Sequence, residues 1–260
     1  MSFILHERAG IRFYTSTVLP CPHAFSTRVG GVSTLPHLSG LNLGRNRGDA
    51  PGNPEKNLSL FLDAAGLPPR AVQAKQIHSD ILAYANGASD PDGVRELDGF
   101  YTDLAGVTLL VKVADCLPIL LCDRESGAVA AVHAGWRGSA KRIAAKGVEA
   151  LVSLGAKRER IAAAIGPSIG KCCFEVRDDF IAAFLSEAGA HAGRYIETRG
   201  GRTYADLQSF NRDVLTGAGV PEDAIDVSPE CTCCRPDLFF SHRYTGGLRG
   251  TMGAAIAKRS

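Results

Sequence analysis

Leu117-Pro118-Ile119-Leu120-Leu121-Cys122-Asp123-Arg124-Glu125-Ser126-Gly127-Ala128-Val129-Ala130-Ala131-Val132-His133-Ala134 reads as two buried strands joined by a tight turn. Both flanks are apolar runs of strand length, and Arg124-Glu125-Ser126-Gly127 is a four-residue loop of hairpin type. If it closes the hairpin, Asp123 pairs with Ala128, and counting back puts Pro118 opposite His133. Cys116 is two residues before Pro118, so it shares that face. It lies diagonally across from His133, about 7–8 Å away at the backbone. One metal ion can bridge that gap, because Zn–S is about 2.3 Å and Zn–N about 2.0–2.1 Å. Pro118 cannot donate to a ladder, so the strand is expected to begin there, with Cys116 at its mouth in a turn.

Outward from this hairpin the chain alternates between two periodicities. Leu58, Phe61, Leu62 and Ala65 repeat at helical spacing, as do Ala144, Val148, Leu151 and Val152, the latter with Ser139 as expected cap and Gly155 as stop. Phe180, Ile181, Phe184 and Leu185 mark a third helix. Asp206 caps a fourth, with Leu207, Phe210, Val214 and Leu215 on its apolar face. Ala71–His78, Asp80–Ala85, Val107–Val113 and Ile161–Ile165 read as further strands, and Gly48–Pro54 and Ser89–Gly93 as loops. Hairpins mixed with helices, without strict βαβ alternation, predict an α/β fold of mixed sheets with helices packed outside. No linker divides residues 1–260, so a single domain is expected.

Composition narrows the function classes. The net charge of +2, from 29 basic and 27 acidic residues, gives no field that would draw the chain to nucleic acid or an anionic membrane. The most apolar stretch, Gly106 to Cys122, is interrupted by Lys112 and Asp115 and is too short to span a bilayer. The opening residues carry no apolar run of signal length, so the expected compartment is the cytoplasm. There the eight cysteines read as thiols, ligands or nucleophiles rather than disulfides.

Taken singly, the candidate residues have ordinary readings. A histidine at a strand end is commonly just hydrogen-bonded, and a cysteine in an apolar strand is a small hydrophobe. His78, in Gln76-Ile77-His78-Ser79, is not placed near Cys116 and His133 by spacing. Cys231-Thr232-Cys233-Cys234 is metal-like but lacks a second Cys or His pair at the usual spacing, and Cys172-Cys173 reads as packing.

Taken in order, several blocks resemble one family. Phe25-Ser26-Thr27-Arg28-Val29-Gly30-Gly31-Val32-Ser33 is followed by Leu41-Asn42-Leu43, Gly48-Asp49 and Gln76-Ile77-His78. Ala114-Asp115-Cys116-Leu117-Pro118 and His133-Ala134-Gly135-Trp136-Arg137-Gly138 come next. Ile165-Gly166-Pro167-Ser168-Ile169-Gly170, Phe174-Glu175-Val176, Cys231-Thr232 and Phe239-Phe240-Ser241-His242-Arg243 close the series. Over nearly its whole length the chain resembles the laccase-domain family, whose members carry the names polyphenol oxidase, peptidoglycan editing factor and purine nucleoside phosphorylase. The resemblance implies a single α/β domain with layered mixed sheets flanked by helices. It implies a metal held by His78, Cys116 and His133. It also implies phosphorolysis of adenosine, inosine and methylthioadenosine, and deamination of adenosine. Two departures limit the transfer: Leu58 replaces a basic residue of the family pattern, and the tail Tyr244–Arg249 diverges, so no role is carried over there.

Two histidines and one cysteine leave a fourth position open on a tetrahedral ion, as catalytic zinc requires; copper also suits that donor set. Asp115, beside a ligand, is the candidate for proton transfer or ligand support. Arg28, in a Gly-rich loop, and Arg137 are the candidates for holding phosphate. The expected partners are therefore a purine nucleoside and phosphate, with no nucleic acid and no membrane, and the oligomeric state is open. Three rivals stand beside this reading. Copper oxidation of phenols would need more than the seven histidines present, and His-x-His pairs, which are absent. A Cys116–His133 hydrolase acting on peptidoglycan precursors would need no metal. A scaffold with a structural metal would need a closed coordination sphere.

Overall fold

The protein is described from a computed structural model covering residues 3–45, 47–87 and 95–259. The central hairpin forms in the expected register. Leu117–Asp123 and Val129–Ala134 run antiparallel with Pro118 opposite His133. The Asp123 N–H donates to Ala128 O at 2.8 Å, and the Asp123 carboxylate accepts from the Ser126 N–H and hydroxyl, which closes the turn.

This hairpin is the middle of a six-stranded sheet. Its order is Ile225–Val227, Ile161–Ile165, Leu117–Asp123, Val129–Ala134, Gly99–Thr102 and Leu82–Tyr84, with parallel pairing only at the two edges. Every residue of its three central strands other than Gly99–Thr102 is buried. Both faces are therefore covered, which explains continuous apolar runs in place of alternation. Helices Ile143–Ser153 and Leu207–Gly217 pack on one face. A second six-stranded sheet packs on the other, in the order Phe3–Arg8, Ile11–Ser16, His23–Ser26, Met252–Ala257, Thr108–Val113, Ala71–Val72.

Helix Asn53–Ala65 covers the second sheet by setting Phe61 and Leu62 against Ile11, Phe13 and Ala24. Alternate residues of the sheet's strands divide between the two cores: Ala254 faces the inner one with Val111, Ala255 the outer one with Leu110. A small sheet of Glu175–Val176, Arg202–Ala205 and Ile196–Arg199 accompanies helix Asp178–Ala188. The result is the expected α/β architecture, layered mixed sheets flanked by helices. No described helix is long and apolar enough to cross a membrane.

Several expectations are corrected. Ala71–His78 is a strand only at Ala71–Val72; beyond that the chain leaves the sheet, and His78 sits at φ 59°, a left-handed conformation no strand can hold. Ser139 does not cap the helix after the hairpin. Trp136–Ala140 forms its own short helix, and Ser139 Oγ instead accepts from Asn211 Nδ2 at 2.9 Å. Asp206 caps Leu207–Gly217 as expected, accepting the Ser209 N–H at 2.9 Å. Gly48–Pro54 runs two residues into helix Asn53–Ala65. The loop read at Ser89–Gly93 lies outside the described residues. Finally, Cys21 and Cys122 are joined by a disulfide, both buried where the two sheets meet, so not all eight cysteines are free thiols.

Candidate metal centre

Three elements converge on one point. Cys116 stands just before the strand Leu117–Asp123, and His133 lies near the end of Val129–Ala134. His78 arrives from the irregular segment after Ala71–Val72. The ligand-capable atoms of the three side chains all lie within 4.8 Å of one another. Cys116 Sγ is 3.9 Å from His78 Nε2, and the two imidazoles meet edge to face with ring centres 5.0 Å apart.

Asp98, absent from the sequence-derived set, organises this arrangement. It is fully buried, and its carboxylate accepts from His133 Nδ1 at 2.7 Å. That bond turns Nε2 of His133 toward the other two ligands. The same carboxylate accepts the N–H groups of Ile77, His78 and Ser79 and the Ser79 hydroxyl. These bonds hold His78 in its left-handed conformation, so one carboxylate sets two of the three candidate ligands. Gln76 adds a second anchor: its side-chain amide pairs with the N–H and C=O of Lys112, both at 2.7 Å, and fastens the His78 segment to the strand leading to Cys116.

The donor set and the space around it fit a metal. Burial pushes the Cys116 thiol up, but the charge and hydrogen bonds of His133 and His78 outweigh it and bring the pKa to about 6. Burial pushes His133 down, but Cys116 and Asp98 outweigh that and raise it to about 9. Burial likewise opposes ionisation of Asp98, but hydrogen bonds from His133 and Ser79 hold it at about 2. Without an ion the pair is thus thiolate and imidazolium, an arrangement in which a cation can take the place of the proton. A Cβ at Gly135 would lie 2.8 Å from His78 Cδ2 and 3.5 Å from Cys116 Sγ. Glycine there leaves open the cradle in which the three ligands meet.

Two clefts share His78, Ala114, Cys116 and Arg249. One, of about 480 Å³, is basic, with Arg45, Arg47, Lys112 and His133 in its wall. The other, of about 580 Å³, is largely apolar and aromatic, with Leu117, Trp136, Ile169, Phe174 and Leu207 beside Asp115, Arg137 and His242. Arg249 stands between them. Its Nη1 donates to Gly250 O and Thr251 Oγ1, while its buried Nε finds no acceptor among the described residues. Burial and the charge of Arg47 push its pKa down.

The other sequence candidates divide. Arg137 lines the apolar cleft, with its guanidinium 4.2 Å from the centre of the Trp136 ring. Asp115 lines the same cleft at φ 89°, its carboxylate accepting from Thr232 Oγ1 and the Arg243 N–H, each at 2.6 Å. The structure does not bring Arg28 to the metal candidates. Its guanidinium donates to Pro236 O at 3.1 Å and Ser39 O at 3.3 Å, stacks on Phe240, and lines neither cleft. The glycines beside it serve packing instead: a Cβ at Gly31 would meet buried Asn57 Oδ1 at 2.6 Å. Asp98 and Arg249 were missed because each is a lone charged residue with no local motif. The only trace of Arg249 in the sequence was the divergent tail.

Known proteins are similar to this chain over nearly its whole length. Residues 22–259 match the family model described as multi-copper polyphenol oxidoreductase laccase. The purine nucleoside phosphorylase of Deinococcus radiodurans is 39% identical over 95% of this chain and 93% of its own. The adenosine deaminase RL5 from an unknown prokaryotic organism is 38% identical over 91% of this chain and 94% of its own. The crystal structure of YlmD from Geobacillus stearothermophilus superposes with a TM-score of 0.85 at 32% identity, covering 99% of this chain and all of that one.

Proposed function

The chain belongs to the multi-copper polyphenol oxidoreductase laccase family, and from that premise we propose that it is a cytoplasmic zinc enzyme of purine nucleosides, cleaving adenosine, inosine and methylthioadenosine with phosphate and deaminating adenosine. The observation that carries this reading is the open His78–Cys116–His133 set at the junction of one basic and one aromatic cleft. Its relatives' names supply the substrate class. Two imidazoles and a thiolate suit zinc, which when bound there would supply Lewis acidity through its remaining coordination position.

The chain's own residues fit the task. The apolar cleft offers Trp136 and Phe174 to the faces of a purine and Arg137 to its edge. The basic cleft offers Arg47, Lys112 and Arg249 to phosphate, and Arg249, reaching both clefts, is suited to orient the anion toward the ribose carbon bearing the base. Asp115 and His242 flank the position of the leaving base. His242, pushed below its usual range by burial and by Arg249, is available as a neutral imidazole to relay a proton. Arg28 is assigned to tying its own segment to the Ser39 and Pro236 carbonyls.

Copper oxidation of phenols is disfavoured by chemistry. Seven scattered histidines cannot furnish a multicopper centre, and among the described residues only one metal-capable group contains histidine. The test is to incubate zinc-loaded protein with inosine or adenosine, with and without phosphate, and to assay free base and inosine separately. Phosphate-dependent base release and phosphate-independent deamination are expected. Zinc-replete, folded protein that performs neither overturns the proposal.

A further inference from the structure

Cys231-Thr232-Cys233-Cys234 contains a Cys-x-x-Cys pair whose partner pair is invisible in the sequence. The fold supplies it. Ser168 and Cys231 form an isolated parallel bridge, Thr232 N–H donates to Ser168 O at 3.0 Å, and the segment after Ser168 carries Cys172 and Cys173 to the same spot. Cys234 Sγ lies 3.6 Å from Cys172 Sγ and 3.4 Å from Cys173 Sγ. The four sulfurs of Cys172, Cys173, Cys231 and Cys234 all lie within 4.8 Å of one another. Four thiolates around zinc at about 2.3 Å make a tetrahedron with edges of about 3.8 Å, within that span.

We propose that Cys172, Cys173, Cys231 and Cys234 form a second, structural metal site that binds zinc as a tetrathiolate, distinct from the His78–Cys116–His133 centre. Three features of the surroundings support an ion rather than free thiols. Gly170 N–H already points at Cys231 Sγ, 3.3 Å away, the kind of backbone donor that stabilises a coordinated thiolate. Gly170 itself permits the approach, since a Cβ there would lie 3.3 Å from Cys172 Sγ. Two guanidiniums sit on the loop: Arg199 donates to the carbonyls of Lys171 and Cys172, and Arg243 to that of Cys173. They offset the net negative charge of a divalent ion with four thiolates, whose protons pass to solvent on binding. One central ion uses all four sulfurs at once, whereas Cys234 can bond covalently to only one of its two neighbours.

The site also has a structural task. The loops it would tie together donate to Asp115 through Thr232 Oγ1 and Ile169 N–H, and Phe174 follows Cys173 into the apolar cleft. An ion with all four positions filled by protein would brace that wall without touching substrate.

The test uses Cys116→Ala, which lacks the thiolate of the first centre, with cobalt(II) and zinc as the only added ligands under reductant. About one equivalent of cobalt is expected per chain, with the intense visible bands and sulfur-to-metal charge transfer of a tetrathiolate. Zinc should then shield four cysteines from a thiol reagent. Adding Cys231→Ser and Cys234→Ser should abolish both signals, and wild type should take two equivalents. If those serine variants fail to fold, the Cys116→Ala spectrum still decides. Folded Cys116→Ala that binds no cobalt, or binds it without thiolate charge transfer, overturns the proposal.

Discussion

At the scale of the residue, Asp98 concentrates the chemistry. It fixes His133 through Nδ1 and the backbone of His78 through its N–H. Asp98→Asn keeps the shape but can offer His133 only a weaker, neutral acceptor. Zinc affinity, read by competition with a chelator, is expected to fall about 10- to 100-fold; unchanged affinity would remove Asp98 from its orienting role. The coupled titration has a definite sign. His133 keeps its proton up to about pH 9 in the ion-free chain, and Cys116 has lost its own above about pH 6. Between these limits each captured ion expels one proton, from His133. Log affinity should therefore climb about one unit per pH unit from 6 to 9, steepen below 6 and flatten above 9; a flat profile across that window contradicts the thiolate–imidazolium pair. The two arginines can be separated in one assay. A charge-assisted bond to phosphate is worth roughly 1.5–3 kcal/mol, or about ten- to a hundredfold in rate. Arg249→Ala is expected to lose that much in phosphorolysis of inosine with a raised KM for phosphate, and Arg28→Ala to leave that KM unchanged. The reverse pattern would return phosphate binding to Arg28.

At the scale of the element, the centre depends on how one hairpin ends and one strand breaks off. The pairing of Pro118 with His133 brings Cys116 within reach, and the turn into Trp136–Ala140 must pass His78 at Gly135. Gly135 has φ −65°, which any residue can adopt, so its requirement is space and not backbone freedom. Gly135→Ala should therefore displace His78 and weaken zinc binding by an order of magnitude or more, with only a small change in the Tm of the metal-free protein. A large loss of metal-free stability with normal zinc affinity would show that the glycine serves folding. By contrast, the four longer helices were legible because each carries its own evidence. Asp206 and the Leu207–Phe210–Val214 face are local features, and local features do not depend on distant partners.

At the scale of the whole molecule, the two large sheets are joined covalently as well as by packing. Cys21 precedes the strand His23–Ser26 of one sheet, and Cys122 belongs to the central strand of the other, 101 residues away. In the chain-entropy account, closing a loop of that length restricts the unfolded chain by about 4.7 kcal/mol. Denatured, metal-free protein that has not been reduced should therefore show six reactive thiols, and eight after reduction. Reduction should also lower Tm. Eight thiols without reductant would show the pair to be packed but not bonded.

Features that rest on neighbours along the chain could be read before any fold was known. The hairpin register follows from a turn of fixed length, the helices from their period, and two of the three candidate ligands from counting along paired strands. Block order added His78 by resemblance to a family. The tertiary structure alone decided the rest, because it depends on residues far apart in sequence meeting in space. Asp98 reaches both His78 and His133 only when the Gly99–Thr102 strand pairs beside Val129–Ala134. Arg249 joins Cys116 in the cleft wall only when Met252–Ala257 pairs with Thr108–Val113. Cys172 and Cys173 meet Cys231 and Cys234 only through a bridge between two loops. Such encounters leave no periodicity and no spacing rule in the chain, since a buried charge or a thiol is chosen for a partner that folding, and not sequence proximity, brings within hydrogen-bonding or ligand distance.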